Sequence, residues 1–541
     1  MAAFADEDAW PLEVPAAATA ALAELVVVVL ASEEAASPAR LHDCLAALAN
    51  ADGFAADRVL VVQDLSDDSP DAAASEARTA LEKVLAEFGV QRMAHRAPGL
   101  SEDAREASHY KFALKSAFEF FFPKAQSVLV LDDKVLVSPD VLWYFAQLEQ
   151  LLQEDPSLWC ITAWNDNGLA PYVADGSAVL RTDWFSGVAW LIQRPVFLRE
   201  LAPKWPYEQW QDIFRRKDIR KGRQCIFPEI SRGRLPASED DWRATAVFAQ
   251  DSRKRVYLGD VGRLKAATYE KLLLSEWPNS EGLTQATVVA DLKDLEAPRE
   301  GEGALCIVVD GSHKTWAAVM GFLGLAEPGS GGEGGSSEID EAGEDAPMPG
   351  FYRGLLRLRW HGTVLFLAHR FSSVLHRAGL SAGRSFGAGD FHGDAAASIA
   401  GRRRGPDVAL VLAQAGQSCD IACDWLADAS GSGAAAPARC HDADLLFLNE
   451  CPALQSLGIC ASCAEAQGAH HPSVLLGEAG LGGSRGAGAC TRAPPSLEPP
   501  RCSATAAPAA AAAGRLCPCR LGFSSARLAA ATNSDSAARA P

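Results

Sequence analysis

Residues 127–154 read SVLVLDDKVLVSPDVLWYFAQLEQLLQE. Val128–Leu131 is a short apolar run that ends in Asp132-Asp133. After a turn-rich break, Val141–Glu154 carries apolar residues at helical spacing (Val141, Leu142, Phe145, Leu148, Leu152). The unit is a buried strand followed by an amphipathic helix. The same unit occurs twice upstream, as Leu25–Leu30 before Ala39–Ala49 and as Val59–Gln63 before Ala72–Phe88. Strands alternating with helices predict an α/β fold with a largely parallel sheet. Such sheets bind ligands at the carboxyl ends of their strands. Two strands here end in acid, at Asp64 and at Asp132-Asp133. That layout suits a nucleotide or a metal-bound diphosphate, although Asp also ends strands simply because it favours turns.

Composition bounds the function. The chain has 541 residues, 48% hydrophobic and 22% charged, enough for several domains with real cores. Its 50 basic and 69 acidic residues give a net charge of −19, which argues against nucleic acid as a partner. The best apolar stretch, Ala18–Ala31, is short for a bilayer span and contains Glu24. The first residues are acidic and do not read as a signal peptide. Membrane association would therefore need an N-terminal anchor outside this chain. No fixed-period repeat is visible, which excludes solenoids.

Composition also divides the chain. The reading is a flexible N-terminus (1–19), a body (20–275), a small domain (276–372) with a flexible Gly/Glu/Ser-rich loop (329–350), a linker (373–405), a Cys-rich domain (406–522) and a disordered tail (523–541).

Between the third strand and the small domain the sequence becomes specific. DPSLWCITAWNDNG (155–168) is followed by RTDWFSGVAWL (181–191), PKWP (203–206) and RKGRQCIFPEISR (220–232). With HYKFAL (109–114) and GFYRGLLRLRWHGTVLFLA (350–368), these words resemble the N-acetylglucosaminyltransferase I family and the related protein O-mannose transferases. The resemblance runs from about residue 20 to 372. It implies a GT-A fold that binds UDP-GlcNAc, with Mn²⁺ bridging the diphosphate. It further implies inverting β1,2 transfer to a terminal mannose of a glycoprotein, a carboxylate base, and a place in the Golgi lumen.

Carried over residue by residue, the resemblance makes Asp64 the uracil-binding acid and His109 a donor contact. A structural histidine is equally compatible with the residue type at 109. Asp132 and Asp133 match the first two acids of the family's Glu-Asp-Asp motif, and Gly187 and Val188 match the loop that touches the donor sugar. Cys160 and Cys225 match a family disulfide. The family's diphosphate-contacting Arg after the first strand has no counterpart in Ser32-Glu33-Glu34.

Two departures concern the chemistry. In a gapless alignment the third acid, the metal ligand, is Lys134; a one-residue slip instead makes Asp133 the ligand. A protonated Lys has donors and no lone pair, so it cannot coordinate Mn²⁺. As a point charge it is an ordinary phosphate binder and could neutralise the diphosphate itself. At the base, Gln211 stands where an Asp is expected, and Gln takes no proton at neutral pH. Asp212 is adjacent but one helical step away, about 100° around the axis. Two readings therefore compete: a working GlcNAc transferase, and a catalytically impaired protein that binds nucleotide-sugar or glycan. The acidic run Glu239-Asp240-Asp241 reads as a solvated loop.

The tail holds ten Cys, from Cys419 to Cys519, and resembles the Cys-rich segment of β1,6-GlcNAc transferase V. Cys460 and Cys463 form a CxxC with His441, His470 and His471 in the same tail, but no second CxxC at zinc-site spacing completes it. A disulfide framework implies an oxidising compartment. Cys44 and Cys306 read as buried free thiols. Trp316 and Trp360 suggest a weaker, lectin-like alternative, with core packing as the commoner role of such residues.

Overall fold

The structure is a computed structural model. It describes residues 16–32, 37–65, 72–168, 172–173, 175–235, 256–275, 287–288, 304–323, 325, 348–360, 363–377 and 385–391. In the tail it describes 408–413, 417–429, 439–440, 445, 448, 460–465, 471–475, 488–492, 501–505 and 513–520.

The strands of the body are β1 (Val26–Ala31), β2 (Val59–Leu65), β3 (Gln91–Arg96), β4 (Ser127–Asp132), β5 (Leu136–Val137), β6 (Leu158–Thr162), β7 (Val179–Thr182), β8 (Trp190–Gln193), β9 (Gln224–Pro228) and β10 (Gly233–Arg234). Eight of them form one sheet in the order β3-β2-β1-β4-β8-β6-β9-β7. The first four are mutually parallel, with Leu30 of β1 opposite Val62 of β2 and Asp132 of β4. β8 runs antiparallel to β4 and β6, and β7 antiparallel to β9, while β6 and β9 are parallel. This is the expected α/β class with a mostly parallel sheet. β5 and β10 pair as a short ribbon.

The unbroken apolar run of β1 has a simple cause, since both faces of the sheet are covered. Val27, Val29 and Ala31 pack on one side with Leu41, Leu45 and Leu48 of α2 (Ser37–Ala49) and Leu81 and Leu85 of α3 (Ala72–Phe88). Val26, Val28 and Leu30 pack on the other side with Ala107, Tyr110 and Leu114 of α4 (Glu102–Ser116). Each fully buried Val or Leu contributes roughly 1.5–3 kcal/mol. Ser101 caps α4 by accepting from the Ala104 amide, with Glu102 and Asp103 in the first turn. The helix therefore starts where an N-terminal dipole favours acid.

α5 (Val141–Glu154) is buried almost all round because it lies between the sheet and a further helix, α1 (Ala16–Glu24). That helix corrects the flexible-terminus expectation for residues 16–19, because Ala18 and Leu22 bury in the same core. Cys160 and Cys225 sit opposite one another on β6 and β9, with Cα atoms 4.7 Å apart, and are joined.

A four-stranded sheet follows: β11 (Thr287–Val288), β12 (Leu305–Val309), β13 (Leu355–Trp360) and β14 (Thr363–His369), in the order β11-β12-β14-β13. Trp316 is core there, edge-on to Phe351, and the Trp360 side chain lies outside those described. The linker expectation is corrected in part. Ser373–Arg377 is helical and buries Val374 and Leu375, and Phe386 bridges Val309, because these apolar side chains complete the cores around this sheet. Residues 329–347 of the expected loop lie outside the described residues.

In the tail, Cys419–Cys517, Cys423–Cys519 and Cys440–Cys502 are joined, and Cys463 and Cys490 are also disulfide-bonded. With Cys463 oxidised, the CxxC does not supply two thiolates for zinc. Cys44 and Cys306 are buried free thiols, as expected.

Candidate functional site at the carboxyl ends of the strands

The sheet topology brings the ends of β2, β1 and β4 side by side. β2 delivers Asp64. Its carboxylate is almost buried, accepting from His95 Nδ1 at 2.8 Å and pairing with Arg105 Nε at 3.1 Å. His95 Nε2 in turn meets Ser108 Oγ at 3.0 Å. His109 lies behind this pair, stacked on His95, and its Nε2–H donates to the Val62 carbonyl at 2.9 Å. Burial pushes the His109 pKa down to about 4, against a smaller upward pull from Asp64. It is a neutral, inward-facing histidine. Its geometry is that of a support for β2 rather than of a ligand contact.

β4 ends in the Asp132-Asp133-Lys134 turn. Asp132 Oδ2 accepts from the Tyr110 hydroxyl at 3.0 Å, and the Lys134 ammonium stands 3.6 Å from the same oxygen. Asp132 holds the Lys134 pKa above its usual range, so this side chain stays charged. Asp133 points the other way. Its Oδ2 accepts from Ser37 Oγ (2.6 Å), the Ser32 amide (3.1 Å) and Ser32 Oγ (3.4 Å). Its Oδ1 faces Arg40 Nε at 3.5 Å, and the side chain is 1% exposed. Arg40 Nη2 also donates to Ser32 Oγ at 2.8 Å. Burial raises the Asp133 pKa, and the Ser37 hydrogen bond opposes that shift.

These carboxylates do not fit a divalent cation. Asp133 is enclosed by three hydrogen-bond donors and the Arg40 guanidinium on the inner side of the turn. Asp132 already faces an ammonium, which offers hydrogens and no lone pair. Oxygen ligands for Mn²⁺ or Mg²⁺ need an open lone pair and room for waters.

The third wall comes from the loop after β7 and the helix Trp210–Arg215. Trp210 packs at a tilt of 34° against Tyr110 with ring centroids 4.2 Å apart, and its indole N–H reaches Glu106 Oε1 at 3.4 Å. Gly187 has φ +73, and a Cβ there would stand 2.8 Å from Gln211 Cδ. Gln211 therefore rests against the Gly187-Val188 loop. The Val188 carbonyl is anchored by Thr162 Oγ1 at 2.7 Å. Asp212 is on the outer side, its side chain 56% exposed, with Oδ1 accepting from Arg215 Nη1 at 2.5 Å. Arg215 is held in turn by the Phe185 carbonyl and the Trp184 ring.

Contacts thus run from Asp132 through Tyr110 and Trp210 to Gln211 and Gly187. Asp64 stands two strands over from Asp132 and Asp133 faces inward. Arg40, Arg105, Glu106 and Tyr110 escaped the sequence reading. The available signal was the spacing of 105, 106, 109 and 110, which places all four on one helix over the strand ends. Burial raises the Glu106 carboxyl above its usual range. The segment containing Glu239-Asp240-Asp241 lies outside the described residues.

An α/β domain with acids, cations and a glycine loop gathered at its strand ends has a layout that suits a nucleotide ligand. Residues 14–243, a little over two fifths of the chain, match the profile of the GNT-I family. An Arabidopsis thaliana relative, alpha-1,3-mannosyl-glycoprotein 2-beta-N-acetylglucosaminyltransferase, is 39% identical over 126 residues, 23% of this chain and 28% of the relative. The chain thus spans under a third of that relative's length. Among solved structures, a glycosyltransferase involved in glycosylation of the PBCV-1 major capsid is 14% identical, covering 37% of this chain and 80% of its own, with a TM-score of 0.20. The T. maritima inositol-1-phosphate CTP transferase is 13% identical, covering 38% and 85%, with a TM-score of 0.22. At such scores the fold rests on the strand order described above.

Proposed function

We propose that the chain is an inverting transferase that moves GlcNAc from UDP-GlcNAc to a terminal mannose of a glycoprotein glycan, forming a β1,2 linkage in N-glycan processing. The observation that carries this reading is the GNT-I family segment, whose bounds include every residue of the strand-end cluster. The Arabidopsis relative's name supplies the mannosyl-glycoprotein acceptor, the transferred sugar and the 2-beta linkage, and the resemblance of the sequence supplies the UDP-linked donor. Asp64 is assigned to the uracil, Asp132 and Lys134 to the ribose-diphosphate side, and Gly187-Val188 to the sugar. The tail disulfides are consistent with an oxidising lumen such as the Golgi. No helix among the described residues is long and apolar enough to cross a membrane.

In the reaction the mannose hydroxyl oxygen attacks the anomeric carbon while the bond to the diphosphate breaks, and UDP leaves from the opposite face. The hydroxyl proton passes to a carboxylate, which we assign to Asp212. Gln211 cannot take it and is assigned to positioning the Gly187 loop.

The test incubates the full chain with UDP-GlcNAc and a mannose-terminated glycopeptide, with the product linkage read by NMR. A β1,2-linked product supports the reading. UDP binding without transfer refutes it and leaves the impaired, binding-only protein. One observation favours that second reading: Gln211 fills the expected base position, and Asp212 is committed to Arg215. Under it, Gln211→Asp restores transfer.

A further inference from the structure

We infer that this site holds the donor's diphosphate with two of the chain's own cations, Lys134 and Arg40, and needs no divalent metal; the inference rests on the donor-site reading above. It starts from the misfit of the acids to a metal. Asp133 spends its oxygens on Ser32, Ser37 and Arg40 inside the turn. Asp132 is held by Tyr110 and paired with Lys134. The two consecutive acids thus act as anchors for two cations, one on each side of the end of β4.

The anchored cations are placed to be used. Lys134 lies two residues past the end of β4, and its side chain is 49% exposed, so the ammonium is open to a ligand at the strand ends. An ammonium has three donors, and Asp132 is its ion-pair partner among the described residues. Arg40 approaches from α2 across the end of β1, is 27% exposed, and is fixed by Ser32 as well as Asp133. Together they supply two positive charges, as many as one divalent ion. A guanidinium suits bidentate contact with phosphate oxygens, and an ammonium suits a point contact. Arg40 also gives the first strand-to-helix connection a phosphate-binding Arg, on the helix rather than in the loop.

The experiment measures UDP and uridine binding to the full chain by calorimetry, in EDTA and in MnCl₂. The expected result is one UDP affinity, equal in the two buffers within about twofold. Lys134→Ala and Arg40→Ala should each weaken UDP about tenfold or more, the size of a lost charge-assisted hydrogen bond, and leave uridine unchanged. Lys134→Asp should make UDP binding depend on Mn²⁺. UDP binding that disappears in EDTA overturns the inference and leaves the transferase reading standing. So does undiminished UDP affinity in Lys134→Ala, or Lys134→Asp that still binds in EDTA. UDP binding in neither buffer refutes the donor-site reading itself, and the inference with it.

Discussion

Gly187→Ala tests the contact on which the reading of Gln211 depends. Gly187 sits at φ +73, a conformation that costs an L-residue about 1–2 kcal/mol. The new methyl would also stand 2.8 Å from Gln211 Cδ, 3.0 Å from Oε1 and 3.1 Å from Nε2. Relieving that overlap pushes the Gln211 side chain off its rotamer, at about 0.5–1.5 kcal/mol. The single variant should therefore lose about 1.5–3.5 kcal/mol. In a Gln211→Ala background only the backbone cost remains, so the cycle should show a coupling of about 0.5–1.5 kcal/mol. Urea unfolding read by tryptophan fluorescence is the assay, because Trp159, Trp190, Trp205 and Trp210 all pack around Phe185 and Phe214. A coupling below about 0.3 kcal/mol would mean that Gln211 does not lean on the loop, and the positioning role would fall.

Three further outcomes follow from the geometry. Asp212→Asn should lower kcat about 100-fold or more without changing UDP affinity; if Glu106→Gln does so instead, the base is the exposed acid on α4. His109 has a folded pKa of about 4 against 6.5 unfolded, so folding favours its neutral form. Its contribution is complete above pH 6.5, is lost as pH falls towards 4, and reaches at most about 3 kcal/mol. His109→Gln should flatten the urea midpoint between pH 7 and pH 4.5; an unchanged slope refutes the burial argument. Replacing Cys160 and Cys225 by Ala opens a cross-link across 65 residues and should cost about 4 kcal/mol, read as a drop in thermal midpoint. A variant as stable as the parent would show that the bridge adds nothing to the β6–β9 pairing.

The α/β class, α3 and α5 were legible in the chain because period and length are local properties. Ala72–Phe88 and Val141–Glu154 were read with the bounds that the fold has. The acids at the strand ends were legible too, since their positions follow from where the apolar runs stop. Ser37–Pro38 at the start of α2 was missed, because a polar opening residue shows no periodicity.

What the sequence by itself determined was the resemblance to the GNT-I family, the strand-helix alternation and the presence of Lys134 and Gln211 at two positions of that resemblance. Tertiary structure alone decided which partner each charge meets. Asp132 and Asp133 are neighbours in sequence, yet one faces Lys134 and the other is enclosed with Arg40, 93 residues upstream. Successive side chains at a strand end point to opposite sides, so adjacent acids enter different environments. Glu106 and Arg40 joined the site only because α4 and α2 pack over the same strand ends, a consequence of burying both faces of β1.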